Sequence, residues 1–138
     1  MKPAYRYAAK IDRVIDGDSI EITISCGFDV YLAKQNCRLY GIDTSETRGG
    51  TNELKQLGIL AKNYVKESLP EGTNVIIETR LDRRGKFGRI LADVYVGDVH
   101  LNKALIDSQL AVAYHGQSKD ELIEQHMENW RFHFEDEA

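Results

Sequence analysis

The sequence predicts an α+β domain, mainly β, with four or five short strands in a small Greek-key barrel and helices inserted and appended. Three observations carry that expectation. The hairpin dipeptide Asp16-Gly17 precedes a strict alternation in which Ile20, Ile22 and Ile24 share one face. Leu54, Leu57, Ala61, Tyr64, Val65 and Leu69 recur at helical spacing until Pro70 and Gly72 stop the run. Two further apolar strands flank a glycine-containing basic turn at 82–88. Pattern alone is shared with other α+β folds.

In chain order, an opening segment from Tyr7 to Arg13 leads into the Asp16-Gly17 turn and the isoleucine strand. Residues 25–36 read as a long connection, with Gly27, Asp29 and Asn36 supplying turn chemistry. A second strand is expected from Cys37 to Ile42, capped by Asp43-Thr44-Ser45-Glu46. A loop ending in the N-cap residues Thr51 and Asn52 starts the helix from Glu53. Strands follow at Val75–Leu81 and Arg89–Val96, then a short helix near Leu101–Leu110 and an extended Ala111–Tyr114. Ser118 and Glu121 form a capping-box pair. The helix after them carries an apolar stripe of Leu122, Ile123, His126, Met127, Trp130 and Phe134, which is expected to pack on the barrel.

The length of 138 residues suits one domain, 1–138, and 42% hydrophobic against 29% charged residues is enough to build a core. No stretch approaches the ~18 apolar residues of a membrane span, so no membrane partner is expected. Met1 to Lys10 has charges and no apolar export segment, which implies a cytoplasmic protein, or a secreted one if a leader has been removed. Cys26 and Cys37 are too few for a disulfide framework and read as two free thiols, and no zinc-ligand spacing is present.

The net charge of −4 first argues against a polyanionic partner, but its distribution argues otherwise. Residues 119–138 hold seven acids and two bases, leaving the rest of the chain slightly positive. From Arg80 to Arg89 there are five bases and one acid. On charge alone that run reads equally as a solvated loop.

Asp18 shares the parity of the buried isoleucine row. A carboxylate at the head of a core-facing row is costly unless it is paired or bound to a metal. Asp18 opens one strand, Asp43 closes another, and Glu46 lies three residues further on. Two strand-end aspartates can converge on a hard cation, and calcium tolerates the loose oxygen geometry such a site offers. Taken singly, aspartates at strand ends are ordinary turn residues. Arg38 lies in a strand five residues before Asp43, and Arg89 opens another strand. Guanidinium groups grip phosphate oxygens in pairs, and acids with arginines in this combination suit phosphodiester hydrolysis.

Three blocks then carry a resemblance: Val14-Ile15-Asp16-Gly17-Asp18-Ser19-Ile20, Arg38-Leu39-Tyr40-Gly41-Ile42-Asp43-Thr44-Ser45-Glu46, and Lys86-Phe87-Gly88-Arg89-Ile90-Leu91-Ala92. In order and spacing they resemble the signature of the staphylococcal nuclease family, over roughly residues 7–130. The resemblance implies a five-stranded OB-fold barrel with three helices. It implies a monomeric, calcium-dependent nuclease acting on DNA or RNA, with unstructured strands preferred. It further implies that water attacks phosphorus and that the 5′-oxygen leaves, giving 3′-phosphate products. Asp18, Asp43 and the Thr44 carbonyl would bind Ca2+; Arg38 and Arg89 would grip the phosphate; and Glu46 would activate water. Lys86, Phe87 and Tyr114 would contact substrate. Ser45 stands where the family typically has proline, which implies a less rigid turn before Glu46. Phe87 replaces a frequent tyrosine and lacks its hydroxyl. The rival reading is a non-catalytic OB-fold module that binds single strands or a protein. Such a module has no use for acids that repel phosphate.

Overall fold

The computed structural model describes residues 5–84 and 88–135. Strand β1 (Arg6–Asp16) pairs antiparallel with β2 (Ser19–Ser25) around the predicted Asp16-Gly17 turn, and Ile20, Ile22 and Ile24 are buried as their alternation demands. Next come β3 (Tyr31–Leu39), β4 (Ile42–Thr44), helix α1 (Asn52–Ser68), β5 (Asn74–Arg84) and β6 (Ile90–Val96). The short β7 (Val99–His100), α2 (Leu101–Asp107), β8 (Ala111–Ala113) and α3 (Lys119–Phe134) complete the described chain. The sheet runs β3-β2-β1-β5-β6-β7, and a parallel pairing of β3 with β6 joins its ends. Five strands, β1, β2, β3, β6 and β5, thereby close the expected barrel, and β4 with β8 forms a separate ribbon beside it. Closure leaves no free edge among those five.

Two boundaries differ from expectation. The expected connection at 25–36 is only a tight reversal, and β3 already begins at Tyr31. Tyr31, Leu32, Ala33 and Lys34 are all exposed, so this half of the strand has no buried face to impress an alternation on the sequence. The strand expected to run on to Ile42 breaks after Leu39, because Gly41 adopts φ 78° and turns the chain into β4. The second helix likewise stops at Asp107, short of Leu110, and Gln109 takes a left-handed φ of 58°.

Helix α1 starts at the Thr51 cap, whose hydroxyl accepts a hydrogen bond from the Leu54 amide at 3.3 Å. Its buried stripe of Leu57, Gly58, Ala61 and Val65 lies against the barrel. Gly58 is required by proximity. A Cβ there would lie 2.5 Å from the Glu46 carbonyl oxygen and 2.6 Å from that of Ser45. The turn that carries Glu46 therefore rests on the helix backbone. Ser45 is buried within that turn and donates to the Leu54 carbonyl at 2.6 Å. The rigidity expected to be lost with proline is supplied by this tie to α1.

Helix α3 departs most from its expected face. Ser118 caps it, accepting from the Glu121 amide at 3.2 Å. Of the expected stripe, His126 is buried, Leu122, Met127 and Trp130 are half-buried, and Ile123 and Phe134 are exposed; Asn129 is buried in addition. The helix docks by apolar side chains together with the two buried polar residues His126 and Asn129.

Cys26 is exposed and Cys37 buried, and both are free. Burial pushes the Cys37 thiol up to about 12. A thiol reagent should therefore label one equivalent in the native protein near pH 8 and two in denaturant. Gly58→Ala should lower stability by about 1–3 kcal/mol through forced overlap with the 45–46 backbone, read as a lower urea midpoint.

Candidate active site

The site forms where three chain reversals meet: the β1–β2 turn, the β3–β4 turn and the end of β4. Asp18 is 7% exposed, and its burial is offset by three donors. Arg38 Nη1 donates to Asp18 Oδ2 at 3.1 Å, the Thr44 amide to the same oxygen at 3.3 Å, and Ser19 Oγ to Oδ1 at 3.3 Å. The β2–β3 register opposes Ser19 to Arg38, which brings the arginine to this carboxylate. The other terminal nitrogen, Nη2, donates to Asp43 Oδ1 and to the Ile42 carbonyl, both at 3.3 Å. One guanidinium thus holds two carboxylates from different strands. A buried charge cluster of this kind persists only when each member is hydrogen-bonded.

Asp43 has a further partner that periodicity did not reveal as a site residue. His126 of α3 places Nε2 2.8 Å from Asp43 Oδ2. In the sequence this histidine sits within an apparently apolar stripe. The available signal was that polar residues at 122 + 4 and 129, namely His126 and Asn129, share the helical spacing of that face.

Asn102 of α2 holds the β3–β4 turn in place. Its amide donates to the carbonyls of Tyr40 at 2.9 Å and Ala92 at 3.2 Å, while its oxygen accepts from the Val94 amide. Tyr40 is stacked beneath the Arg80 guanidinium, 5.0 Å from the ring centroid. Arg80 is in turn anchored by the buried Asp93, whose hydrogen bond raises the arginine pKa further.

Beside the cluster opens a cleft of about 350 Å3 whose lining includes Arg38, Tyr40, Leu91, Tyr114 and His115. Tyr114 is positioned by its amide, which donates to the Gly41 carbonyl at 2.8 Å. Arg38 is opposite Leu91 in the parallel β3–β6 pair, and Arg89 lies two residues before Leu91. Arg89 itself precedes β6, which begins at Ile90. Glu46 is exposed and lines a different cleft of about 400 Å3 with Asp16, Thr47, Arg48 and Lys62. Among the described residues no direct bond joins it to the Asp18–Arg38–Asp43 cluster. Lys86 and Phe87 lie outside the described residues. A further cleft of about 460 Å3, lined by Lys10, Tyr31 and Tyr95 among others, contains none of the cluster. Its lining is apolar in the main and offers no grouped acids.

The donor set can be compared with what a cation requires. Among the described residues no three Asp, Glu, His or Cys side chains gather into a cage. The carboxylates of Asp18 and Asp43 nevertheless provide oxygen donors alone, which fits a hard divalent ion that completes its shell with other oxygens. One guanidinium for two carboxylates also leaves negative charge for such an ion to neutralise.

A family model described as staphylococcal nuclease homologue matches residues 36–134. The chain is 36% identical over 120 residues to a thermonuclease of Staphylococcus intermedius, covering 83% of this chain and 66% of that protein. It is 33% identical over 116 residues to the SPbeta prophage-derived endonuclease YokF of Bacillus subtilis (strain 168), covering 83% of this chain and 37% of the relative. Endonuclease YncB of the same organism is 32% identical over 117 residues, covering 83% and 52% respectively. The chain thus spans less than two-thirds of the length of each of these relatives. The family match runs over most of the chain, from β3 through α3, and takes in Arg38, Asp43 and their partner His126. On that breadth of similarity, this chain belongs to the staphylococcal nuclease family.

Proposed function

We propose that the chain is a calcium-dependent nuclease that hydrolyses phosphodiester bonds of DNA and RNA to 3′-phosphate products. The observation that carries this reading is the convergence of Asp18 and Asp43 on the Arg38 guanidinium at the wall of an open cleft. Membership of a family whose relatives are named nucleases supports it.

Asp18, Asp43 and the Thr44 carbonyl would hold the cation. When bound, it would supply charge neutralisation at the scissile phosphate. Arg38 would bind phosphate oxygens from the cleft wall, and Arg89, just before β6, would supply the second guanidinium, so that negative charge building at phosphorus meets two of them. Tyr114 lines the same cleft as Arg38 and offers a ring face for a base or sugar. In this reading Lys86 and Phe87 would also contact substrate. Glu46, on the neighbouring cleft, positions the attacking water and accepts its proton; the new oxygen–phosphorus bond forms as the bond to the 5′-oxygen breaks. The substrate of this reading is a single or unstructured strand.

Digestion of denatured DNA with calcium and with EDTA tests the reading. Cleavage should need calcium and stop in EDTA, and the products should carry 3′-phosphates. Glu46→Gln should lower kcat by about 100- to 1,000-fold, in line with the loss of a single transition-state group. Full activity in EDTA would sink the proposal, and binding of DNA without cleavage under every condition would favour the non-catalytic module. Arg38→Lys should reduce kcat/KM at least as severely as Arg89→Lys, because Arg38 also holds both carboxylates.

A further inference from the structure

Helix α3 lies far from the signature blocks in sequence, yet it delivers a side chain to Asp43 across 83 positions. His126 is 4% exposed, and its Nε2 is 2.8 Å from Asp43 Oδ2. The opposite carboxylate oxygen is held by Arg38. Both oxygens of Asp43 are therefore oriented by the protein, one from the barrel and one from the helix.

The placement of α3 is itself specific. Asn129 donates to the Ala111 carbonyl at 3.3 Å. Gln117 donates to the Ala113 carbonyl and to Gln125 Oε1, at 2.8 and 2.9 Å. Ala111 and Ala113 belong to β8, the strand that pairs with β4 so that Val112 opposes Asp43. Polar bonds thus register α3 against the neighbour of the strand that carries the acid. Apolar packing would allow a helix to slide, whereas hydrogen bonds to named carbonyls do not.

The remaining ring atom of His126 points to a purpose. Nδ1 is buried and, among the described residues, has no hydrogen-bond partner. Burying an unsatisfied ring nitrogen costs free energy that leucine at the same position would avoid. The tautomer with its proton on Nε2 donates to Asp43 and leaves only a lone pair unmatched. A purely space-filling residue has no need of that arrangement.

We propose that His126 is a positioning residue, which orients Asp43 for cation binding and makes α3 part of the active site. The proposal rests on the reading that Asp18 and Asp43 hold a divalent cation. Partners that orient a ligating carboxylate typically change metal affinity by about 10- to 100-fold when removed.

Calorimetric titration of the full chain with calcium alone tests it, using wild type, His126→Gln, His126→Asn and His126→Leu. A glutamine amide can place an N–H where Nε2–H stands, the asparagine amide falls short, and leucine has no donor. The expected result is affinity close to wild type for Gln, and about 10- to 100-fold weaker binding for Asn and Leu. In the turnover assay, kcat at a fixed subsaturating calcium level should fall in Asn and Leu with little change in KM for DNA. A structural role would lower thermal stability without ranking calcium affinity by the reach of the donor. Equal affinity in all four proteins overturns the role of His126 while leaving the cation reading intact. If Leu fails to fold, the Gln–Asn pair decides alone, and equal affinities there overturn the proposal. Absence of calcium binding by wild type overturns the cation reading itself, and this inference with it.

Discussion

Arg38 is the hub on which the rest of the site depends. Its guanidinium reaches Asp18 at the head of β2, and Asp43 and the Ile42 carbonyl on β4. Without that charge, two carboxylates gathered at the edge of the core would repel one another and lack solvation. The barrel makes the bridge possible. Parallel pairing of β3 with β6 closes the sheet, and the break after Leu39 swings β4 back toward the β1–β2 turn. The bridge then ties the two reversals together, so that site geometry and barrel closure reinforce each other.

Helix α1 supports the other side of the site by close approach. Gly17 lies against Ala61 and Thr44, and Gly58 admits the Ser45 and Glu46 carbonyls into van der Waals range. The hydrogen bond from Ser45 to Leu54 gives the turn a direct tie to the helix. Proline would stiffen the same turn by restricting φ, whereas serine does so through a partner outside the turn. Either solution limits the motion of Glu46, but the serine solution makes that limit depend on helix placement. Glu46 itself faces the cleft shared with Arg48 and Lys62, so its influence on the Arg38 side must pass through water or substrate.

Asn102 and His126 extend the same logic to the other two helices. Each is a buried polar residue on a helix, and each bonds to the segment between Tyr40 and Asp43 rather than to its own helix. Polar contacts in a low-dielectric setting are strong when satisfied and costly when not, which makes them precise determinants of register. The 40–43 turn is therefore held from α2 at one end and α3 at the other. Isoleucines and leucines supply most of the cohesion of the core, while these polar bonds decide where the acids stand.

Local physical chemistry made much of this protein legible from its sequence. Alternation located β2, apolar spacing with Pro70 and Gly72 located α1, and Thr51 and Ser118 marked helix starts, because each signal is written within one or two turns of chain. The parity of Asp18 with Ile20, Ile22 and Ile24 even revealed that a carboxylate must be buried and partnered. The family resemblance added Arg38, Asp43, Thr44, Glu46, Arg89 and Tyr114; the structure draws Arg38, Asp43 and Thr44 into one bonded group with Asp18 and sets Tyr114 on the same cleft. What the sequence could not determine were relations between distant segments. The early start of β3 left no trace, since that half buries no face. The face of α3 was read in part, but the bonds of His126 to Asp43 and of Asn129 to the Ala111 carbonyl were not, since they exist only across distant segments. The tie from Ser45 to Leu54 and the clearance at Gly58 likewise exist only when helix and turn meet. Periodicity records which residues avoid water; only the folded chain decides which polar groups satisfy one another.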